Sequence, residues 1–207
     1  MKNLKLAFAA FCLFAFNITI AQEKNESKFS LIGTGGIGFV IVQNDSQSNY
    51  NLNSNAGELL LNYKITDKFG IASGIGVNEL SGNGLSTLGN FYHERTLLKI
   101  PLIATLNYKI DDKLRILASF GFYGQTITKD QYRFQSNSEL NVFGGWNYGV
   151  QISSGFVFRV SKNFSTGLNF AAQSDLTKLN SNPNRVINDK QKFKNLNTIG
   201  LLLIIDL

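Results

Sequence analysis

Apolar and polar residues alternate with a period of two along much of the chain, and the alternation is cleanest from Trp146 to Val160. Seven of the eight even-numbered residues in this segment are apolar, whereas only one of the seven odd-numbered residues is. A period of two is typical of a β-strand and not of a helix. The segment exceeds the usual globular strand of about 5–6 residues, and a tilted strand needs about 9–11 residues to cross a bilayer. We therefore expect a membrane-crossing strand here.

The same alternation recurs in seven other segments. The sequence thus predicts eight strands, an even number as in bacterial outer-membrane barrels. The first segment is rich in glycine, and the last is apolar on both faces in its second half, which leaves its inward face undecided. The predicted strands are Phe29–Val42, Gly57–Ile65, Phe69–Glu79, Thr96–Ile110, Leu114–Thr128, Trp146–Val160, Phe164–Ser174 and Leu196–Leu207.

The connections between these segments alternate in length. Three are tight turns around Asp67, Asp112 and Lys162, and four are long, at about residues 43–55, 81–94, 129–143 and 175–194. Outer-membrane barrels have short turns in the periplasm and long loops outside the cell. We expect the same orientation here, with both termini in the periplasm. The first long loop is rich in asparagine and serine, and we expect it to be mobile.

The apolar positions indicate which face meets lipid. Aromatic residues cluster near both ends of the predicted strands, and aliphatic residues lie between them, which is the double girdle of a membrane barrel. A soluble ligand-binding barrel would instead have its apolar residues inside. The sequence therefore predicts an all-β fold, an eight-stranded antiparallel up-and-down transmembrane β-barrel. Its predicted inward polar residues are Glu58, Asn62, Lys99, Asn107, Arg115, Gln151 and Asn169.

The N-terminus has the layout of a secretory signal peptide. Lys2 and Lys5 precede an unbroken apolar run from Leu6 to Phe16, and small residues precede a cleavage site after Ala21. The run is too short for a spanning helix, which needs about 20 apolar residues. We therefore expect residues 1–21 to be removed and residues 22–207 to form one barrel domain in the outer membrane.

Removal of this segment changes the chemistry available to the chain. Cys12, the only cysteine, lies within it, so the exported chain has neither disulfide nor thiol chemistry. Two lysines and no acid are lost with it, which lowers the net charge from +6 to +4. This mild charge and the export signal argue against nucleic acid as a partner. No residue pattern predicts a cofactor or a metal site.

A family resemblance rests on the fourth predicted strand and on two turns. The run Leu97-Leu98-Lys99-Ile100-Pro101-Leu102 resembles the Ile-Pro-Leu strand of PorT-like outer-membrane β-barrel proteins of Bacteroidota. The turns Asp67-Lys68-Phe69-Gly70 and Asp112-Lys113-Leu114 resemble that family's periplasmic turns. The resemblance implies an eight-stranded outer-membrane barrel, and some relatives are linked to protein secretion. The chain ends in Asp206-Leu207, whereas many such barrels end in phenylalanine.

Four basic residues form a predicted ring at the periplasmic mouth. Lys64, Lys109, Arg115 and Arg159 each lie close to a short turn on the inward face, with Asp206 as a counter-charge. The ring could receive an acidic periplasmic partner, or it could pair internally and stay solvated. The second reading is the simpler one, because charges at a wet pore mouth need no ligand.

His93 is the only histidine, and it lies near Ser86 and Glu94 at the end of the second long loop. Some small outer-membrane barrels are lipid-modifying hydrolases with a serine–histidine–acid arrangement, and such chemistry needs a base within hydrogen-bond reach of a hydroxyl. A lone loop histidine is more often a polar surface residue. We therefore expect a non-enzymatic envelope protein that binds partners, with the hydrolase as the alternative.

The remaining partner expectations concern the envelope. Besides membrane lipid and the outer-membrane assembly machinery, lipopolysaccharide is an expected partner, since its phosphates could attract the basic fourth long loop. A solvated basic loop, with Asp175 and Asp189 as counter-charges, fits the sequence equally well. The basic residues of that loop are Lys178, Arg185, Lys190, Lys192 and Lys194.

Overall fold

Segments in which apolar and polar residues alternate place all their apolar side chains on one face when the chain is extended. They therefore form β-strands. The structure is a computed structural model that describes residues 27–87, 89–183, 185 and 187–207, so the predicted signal peptide lies outside the described residues. Eight strands are long and two, β6 and β9, are short. The strands are β1 Phe29–Asn44, β2 Tyr50–Lys64, β3 Phe69–Ser86, β4 Gly89–Lys109, β5 Leu114–Phe134, β6 Ser138–Leu140, β7 Trp146–Arg159, β8 Phe164–Asp175, β9 Leu179–Asn180 and β10 Lys190–Asp206.

The long strands form a closed antiparallel ring. Each pairs with its neighbour along the chain, in the order β1-β2-β3-β4-β5-β7-β8-β10, and β10 returns to pair with β1. The short strands are appended, β6 to β5 and β9 to β10. The predicted eight-stranded up-and-down barrel is therefore confirmed. Within the part of the chain that the structure describes, no helix is long and apolar enough to cross a membrane.

The three predicted tight turns are confirmed and share one geometry. In each, the residue after the first strand donates its backbone N–H to the first residue of the next strand, as Ile110 does to Leu114 at 2.9 Å. In the second turn the Asp111 carboxylate also accepts the backbone N–H groups of Lys113 and Leu114. A short polar side chain that bonds its own backbone in this way favours a turn over a longer loop.

The alternation on β7 separates two faces as predicted. Ile152 has 57% of its surface exposed on the outside of the barrel, whereas its neighbour Gln151 has 7% exposed and points inward. The outer face of the ring carries a mainly aliphatic band, which also includes Phe120 and Phe156, between aromatic residues at both ends. Such a belt suits the hydrocarbon core of a bilayer with its two interfaces. Aromatic members of this lipid belt include Phe29, Tyr63, Phe69, Tyr108 and Phe158 near the short turns, and Phe39, Phe122, Trp146, Tyr148 and Phe170 at the other end.

The first two of the four long connections are much shorter than the sequence predicts, and the other two are somewhat shorter. β2 begins at Tyr50, β3 runs on to Ser86, β4 begins at Gly89, and β5 continues to Phe134. Most of the segments expected as loops are thus strands that continue the barrel beyond the lipid belt. Residues 50–55 of the asparagine-rich segment expected to be a mobile tip form the start of β2. The predicted bounds of the first two loops were therefore wrong, whereas the third and fourth connections, from Phe134 to Trp146 and from Asp175 to Lys190, remain long.

The pattern reverses in this upper section. On β2, Tyr50 and Leu52 are buried inside the barrel while Asn51 and Asn53 are exposed outside. Water replaces lipid as the outer solvent at this height, so polar residues now suit the outside and apolar residues the inside. The upper interior is accordingly an apolar core around charged groups. This upper core consists of Val40, Val42, Tyr50, Leu52, Leu80, Phe91, Leu97, Tyr132, Val142, Phe143, Leu179, Ile187, Phe193 and Leu196.

Two β-bulges lie at the boundary between the two sections. The register of β4 against β5 shifts between Thr96 and Leu97, leaving Thr128 unpaired, and that of β1 against β10 shifts between Phe39 and Ile41. Asn195, at the second bulge, has a φ of 54°. An extra residue in one strand moves the following side chains to the other face. At each bulge the inward-facing residues change from odd-numbered to even-numbered positions or the reverse. The bulges therefore keep apolar residues inside the barrel.

The lower interior also contains apolar residues that the sequence assigned no role. Ile32, Leu60, Ile103, Val157 and Leu202 are among a second buried cluster. The expected polar interior is thus only part of the filling. Cavities of about 40 and 30 Å³ adjoin this cluster, enough for a few water molecules at most. An eight-stranded barrel filled by its own side chains is what its diameter dictates.

Glycines bring β1 and β10 together at the seam of the ring. A Cβ on Gly36 would lie 2.7 Å from the Ile199 carbonyl oxygen, and one on Gly38 would overlap the Asn197 carbonyl. Gly200, opposite Gly36, is equally crowded by the backbone of β1. The glycine-rich first strand thus forms closely packed barrel wall at the seam.

Ile152→Arg should destabilise the barrel by about 2–4 kcal/mol, because an arginine near the bilayer midplane has neither water nor a counter-charge on the lipid side. The measurement is the denaturant midpoint of the protein refolded in lipid vesicles.

Gln151→Glu is the control for the opposite face. The variant introduces a negative charge one residue before Ile152, on the inward face. The new carboxylate lies next to the Lys99 ammonium, which donates to the Gln151 side-chain oxygen at 3.0 Å in the wild type. We expect a smaller loss than for Ile152→Arg. A larger loss for Gln151→Glu would mean that the two faces of β7 are assigned the wrong way round.

Candidate functional site

His93 lies inside the upper section of the barrel, on β4. Its side chain is fully buried, so the expectation of a polar surface histidine in a loop was wrong. The strand continues past the lipid belt, and the odd-numbered residues of β4 keep pointing inward there. On the outside of β4 and β5 at this height are Glu94, Lys129 and Arg133, which places His93 above the belt.

Asp130, Tyr50 and Tyr132 contact the imidazole. The Asp130 carboxylate lies 2.9 Å from Nε2, and the Tyr50 hydroxyl lies 2.8 Å from Nδ1. An ionised carboxylate can only accept, so Nε2 carries the hydrogen and Nδ1 accepts from Tyr50. The Tyr132 ring stacks on the imidazole with 4.0 Å between centroids. A neutral histidine has both of its nitrogens satisfied here.

Arg95 supplies the charge that balances Asp130. Its Nε donates to Asp130 Oδ1 at 2.7 Å, and both side chains are fully buried. The other carboxylate oxygen accepts the backbone N–H of Phe143 at 2.8 Å. The guanidinium also donates to Gln191 at 3.1 Å and lies 5.6 Å from the centre of the Phe193 ring. Removing one partner of such a buried pair typically costs about 3–5 kcal/mol.

Burial and the neighbouring charges set the protonation of this cluster. Burial, together with the positive charge of Arg95, lowers the pKa of His93 from 6.5 to about 4. Burial alone would raise the pKa of Asp130, but Arg95 and the hydrogen bond from His93 bring it below its ordinary value. At neutral pH the cluster therefore holds a neutral histidine and one ion pair.

The order hydroxyl, imidazole, carboxylate is the order of a catalytic relay, but the hydroxyl here belongs to a tyrosine. Burial raises the pKa of Tyr50 to about 12, so the phenol stays protonated at neutral pH. The open cleft between the hairpin tips is lined by other residues, including Asn83, Tyr92 and Phe134. The cluster chiefly ties β2, β4, β5 and β10 together across the barrel.

The other two members of the predicted hydrolase arrangement lie elsewhere. Ser86 is at the hairpin tip, four residues beyond the Gly82 that faces His93 across the strands, and its hydroxyl donates to the Gly89 carbonyl. Glu94 points outward and pairs with Lys129 at 2.8 Å and Arg133 at 2.6 Å. Sequence reasoning missed Asp130 and Tyr50, because both fell in segments expected to be loops.

Two residues of the predicted basic ring lie near Asp206, and the other two do not. Lys64 lies 2.7 Å from Asp206, and Arg115 lies 4.0 Å from it and donates to Ser165 at 2.9 Å. The other two, Lys109 and Arg159, lie exposed at the rim, and no acid among the described residues is within ion-pair distance of either. The geometry thus combines internal pairing with two exposed charges at the mouth.

The middle of the barrel has its own charge pair. Lys99 is buried and forms an ion pair with Glu58. Its ammonium also donates to Gln151 and lies 5.4 Å from the centre of the Tyr123 ring. These contacts fill the lumen at mid-height.

Comparison with known proteins bears on the fold. No protein-family model and no curated protein matches the sequence. Among solved structures, Neisserial surface protein A matches with a TM-score of 0.52 and 9% identity, over 89% of this chain and 100% of that one. OprG from Pseudomonas aeruginosa gives 0.51 and 13%, over 88% and 99%. The chain has the fold of small outer-membrane β-barrels.

A third match is the outer membrane protease OmpT from Escherichia coli. Its TM-score is 0.51 at 8% identity, over 90% of this chain and 100% of that one. At identities this low the likeness concerns the fold alone, and one fold hosts many functions.

The pKa of His93 gives the barrel a pH-dependent stability. The unfolded chain binds a proton near the ordinary value of 6.5, whereas the folded chain resists it until about 4. Stability is therefore lost as the pH falls through this window, by about 2 kcal/mol between pH 7 and pH 5. The expected result is that His93→Gln removes this share of the pH dependence, measured as denaturant midpoints of both proteins at each pH.

Groups that are present in both proteins, such as the carboxyl groups, titrate in both and cancel in this comparison. Because His93 is the only histidine, the variant removes the only imidazole that titrates in this range. Equal pH dependence in wild type and variant would contradict the buried neutral state of His93.

Proposed function

We propose that the chain is an integral outer-membrane β-barrel that has no catalytic role and presents a rigid, strand-built surface to partners in the cell envelope. The observation that carries the proposal is the reversal of polarity at the edge of the lipid belt. Below it the outside is apolar, and above it the outside is polar around a packed core. A barrel with this profile suits a bilayer below and water above.

The upper section supports the presenting role. Its strands are fixed to one another by the Arg95–Asp130 pair and by the contacts of His93 and Tyr50. Side chains on its outer face, such as Glu94 and Arg133, are therefore held in place. A preorganised surface loses less conformational entropy when a partner binds than a mobile loop does.

The burial of His93 argues against the alternative, a lipid-modifying hydrolase. A hydrolase needs an accessible nucleophile beside its base, and the hydroxyl that His93 contacts is the buried phenol of Tyr50. OmpT is a protease by its name, but at 8% identity the match supports the shared fold alone and carries no argument about activity.

A finer assignment follows the PorT-like resemblance of the Leu97–Leu102 strand. Some of those proteins are linked to secretion, and we propose a secretion-associated role on that resemblance. The exposed Lys109 and Arg159 at the mouth would then meet an acidic periplasmic partner. Crosslinking in native membranes, followed by co-purification, tests this role. Loss of the crosslinked partner in Lys109→Gln/Arg159→Gln would support it.

The first test is location and orientation. The protein should fractionate with the outer membrane and migrate on gels in a heat-modifiable way. A cysteine at the exposed Ser136 should react with a membrane-impermeant reagent in intact cells, since the hairpin tips face outward.

A cysteine at the exposed Asp112 is the matched control, and it should react only after the outer membrane is permeabilised. Labelling of Asp112→Cys alone in intact cells would invert the orientation, and recovery of the protein in the soluble periplasm would reject the membrane assignment.

The second test concerns catalysis. Cells that overexpress the wild type or His93→Gln should have the same lipid A, because His93 is proposed to be structural. Mass spectrometry of lipid A gives the comparison. A modified lipid A species that appears with the wild type and disappears with His93→Gln, at equal amounts of folded barrel, would favour the hydrolase.

A further inference from the structure

Three lysines form a row on the outer face of β10, and we call Lys190, Lys192 and Lys194 the lysine stripe. They alternate with Gln191 and Phe193, which are buried inside the barrel. Because side chains two residues apart on a strand point the same way, all three ammonium groups lie on one face. Among residues 27–87, 89–183, 185 and 187–207, no side chain accepts a hydrogen bond from them or forms an ion pair with them.

The stripe begins directly above the lipid belt. Lys194 lies opposite Ile41 on β1, two residues beyond Phe39, which is 52% exposed at the upper aromatic edge. A strand rises roughly 3.3 Å per residue, and barrel strands tilt by roughly 35–45°. Two residues thus add roughly 5 Å of height. The three ammonium groups stand at successive levels from roughly 5 to 15 Å above the edge of the belt.

The nearby acids offset only part of this charge, because Asp189, whose carboxylate accepts the backbone N–H of Lys190, is the one acid beside the stripe without a basic side-chain partner among the described residues. Asp45 is engaged by Lys178 at 2.6 Å. Asp189 accepts the backbone N–H groups of Ser46 and Gln47. Together these contacts leave the lysine stripe as a patch of net positive charge on one side of the barrel.

The opposite side is balanced by comparison. On β4 and β5, Glu94 pairs with both Lys129 and Arg133, and Glu79 lies exposed on β3. The basic patch is thus confined to the β10 side and does not reflect a general excess of positive charge at this height.

We infer that the lysine stripe binds the phosphate groups of lipopolysaccharide in the outer leaflet, an inference that rests on the proposed outer-membrane location. Lysine ammonium groups attract phosphate as point charges. A phospholipid offers one layer of phosphate at the belt edge, whereas this glycolipid bears phosphates on lipid A and on the core sugars above it. A row of lysines at several heights matches the layered anion. A soluble partner would not require charges that begin at the edge of the belt.

The test uses the full-length mature barrel, folded in micelles of a zwitterionic detergent. Phosphorylated lipopolysaccharide is titrated in, and binding is followed by the fluorescence of Trp146, which lies exposed at the upper aromatic edge. Lys190→Gln/Lys192→Gln/Lys194→Gln should weaken the apparent affinity roughly tenfold or more, since each lysine near an anionic surface contributes measurably. Raising the salt concentration should weaken wild-type binding toward that of the variant.

Lys68→Gln/Lys113→Gln/Lys162→Gln is the matched control. It removes the same charge from exposed turns at the other end of the barrel and should bind within about threefold of the wild type. Heat-modifiable migration in the micelles establishes that each variant is folded. Lys194→Gln alone replaces the triple variant if the latter does not fold, with a smaller loss expected.

Two outcomes would overturn the inference. One is equal affinity of the wild type and the stripe variant. The other is an equally strong response to phosphatidylglycerol, which would mean that any anionic headgroup suffices. Because the barrel is purified and folded in every arm, these outcomes are distinct from failure of the outer-membrane location, which cell fractionation measures separately.

Discussion

Closure of the sheet between β1 and β10 is the interaction on which the rest of the molecule depends. In a bilayer, an open sheet would leave two rows of backbone N–H and C=O groups without partners, and each such group is expensive in hydrocarbon. The seam closes where Gly36, Gly38 and Gly200 remove the side chains that would hold the strands apart. Closure also separates the interior of the barrel from its surroundings. It therefore determines which of the alternating side chains face inward and which face outward.

The solvent that surrounds the ring then decides which face is apolar. Lipid surrounds Ile152, and water surrounds Asn51 and Asn53, yet the strands and their pairing continue from one zone to the other. The lower section fills its interior partly with ion pairs such as Lys99–Glu58. The upper section encloses an apolar core and one buried ion pair, as a soluble β-barrel could. One continuous sheet therefore obeys two opposite patterning rules.

This change of rule sets the limit of prediction from the sequence. The eight strands and the short turns could be predicted, because the outward-facing residues are apolar in every strand within the lipid belt. The strand extensions could not, since polar residues on the outside resemble a loop when lipid is assumed to surround them. The bulges near Thr128 and Asn195 also interrupt the period of two. His93 was singled out as the only histidine, but its partners Tyr50 and Asp130 are far away in sequence and meet only through the register of the strands.

The asparagines on the outer face of β2 have a consequence for recognition from outside the cell. Asn51 and Asn53 lie on a fixed strand, about 7 Å apart. An antibody or a phage receptor-binding protein that binds them would recognise a spacing that is fixed by the strand, whereas a flexible chain would have no fixed spacing. A linear peptide with the same residues lacks that spacing, because an isolated strand does not hold its shape in water. Antigenicity in this region is thus a property of the assembled barrel.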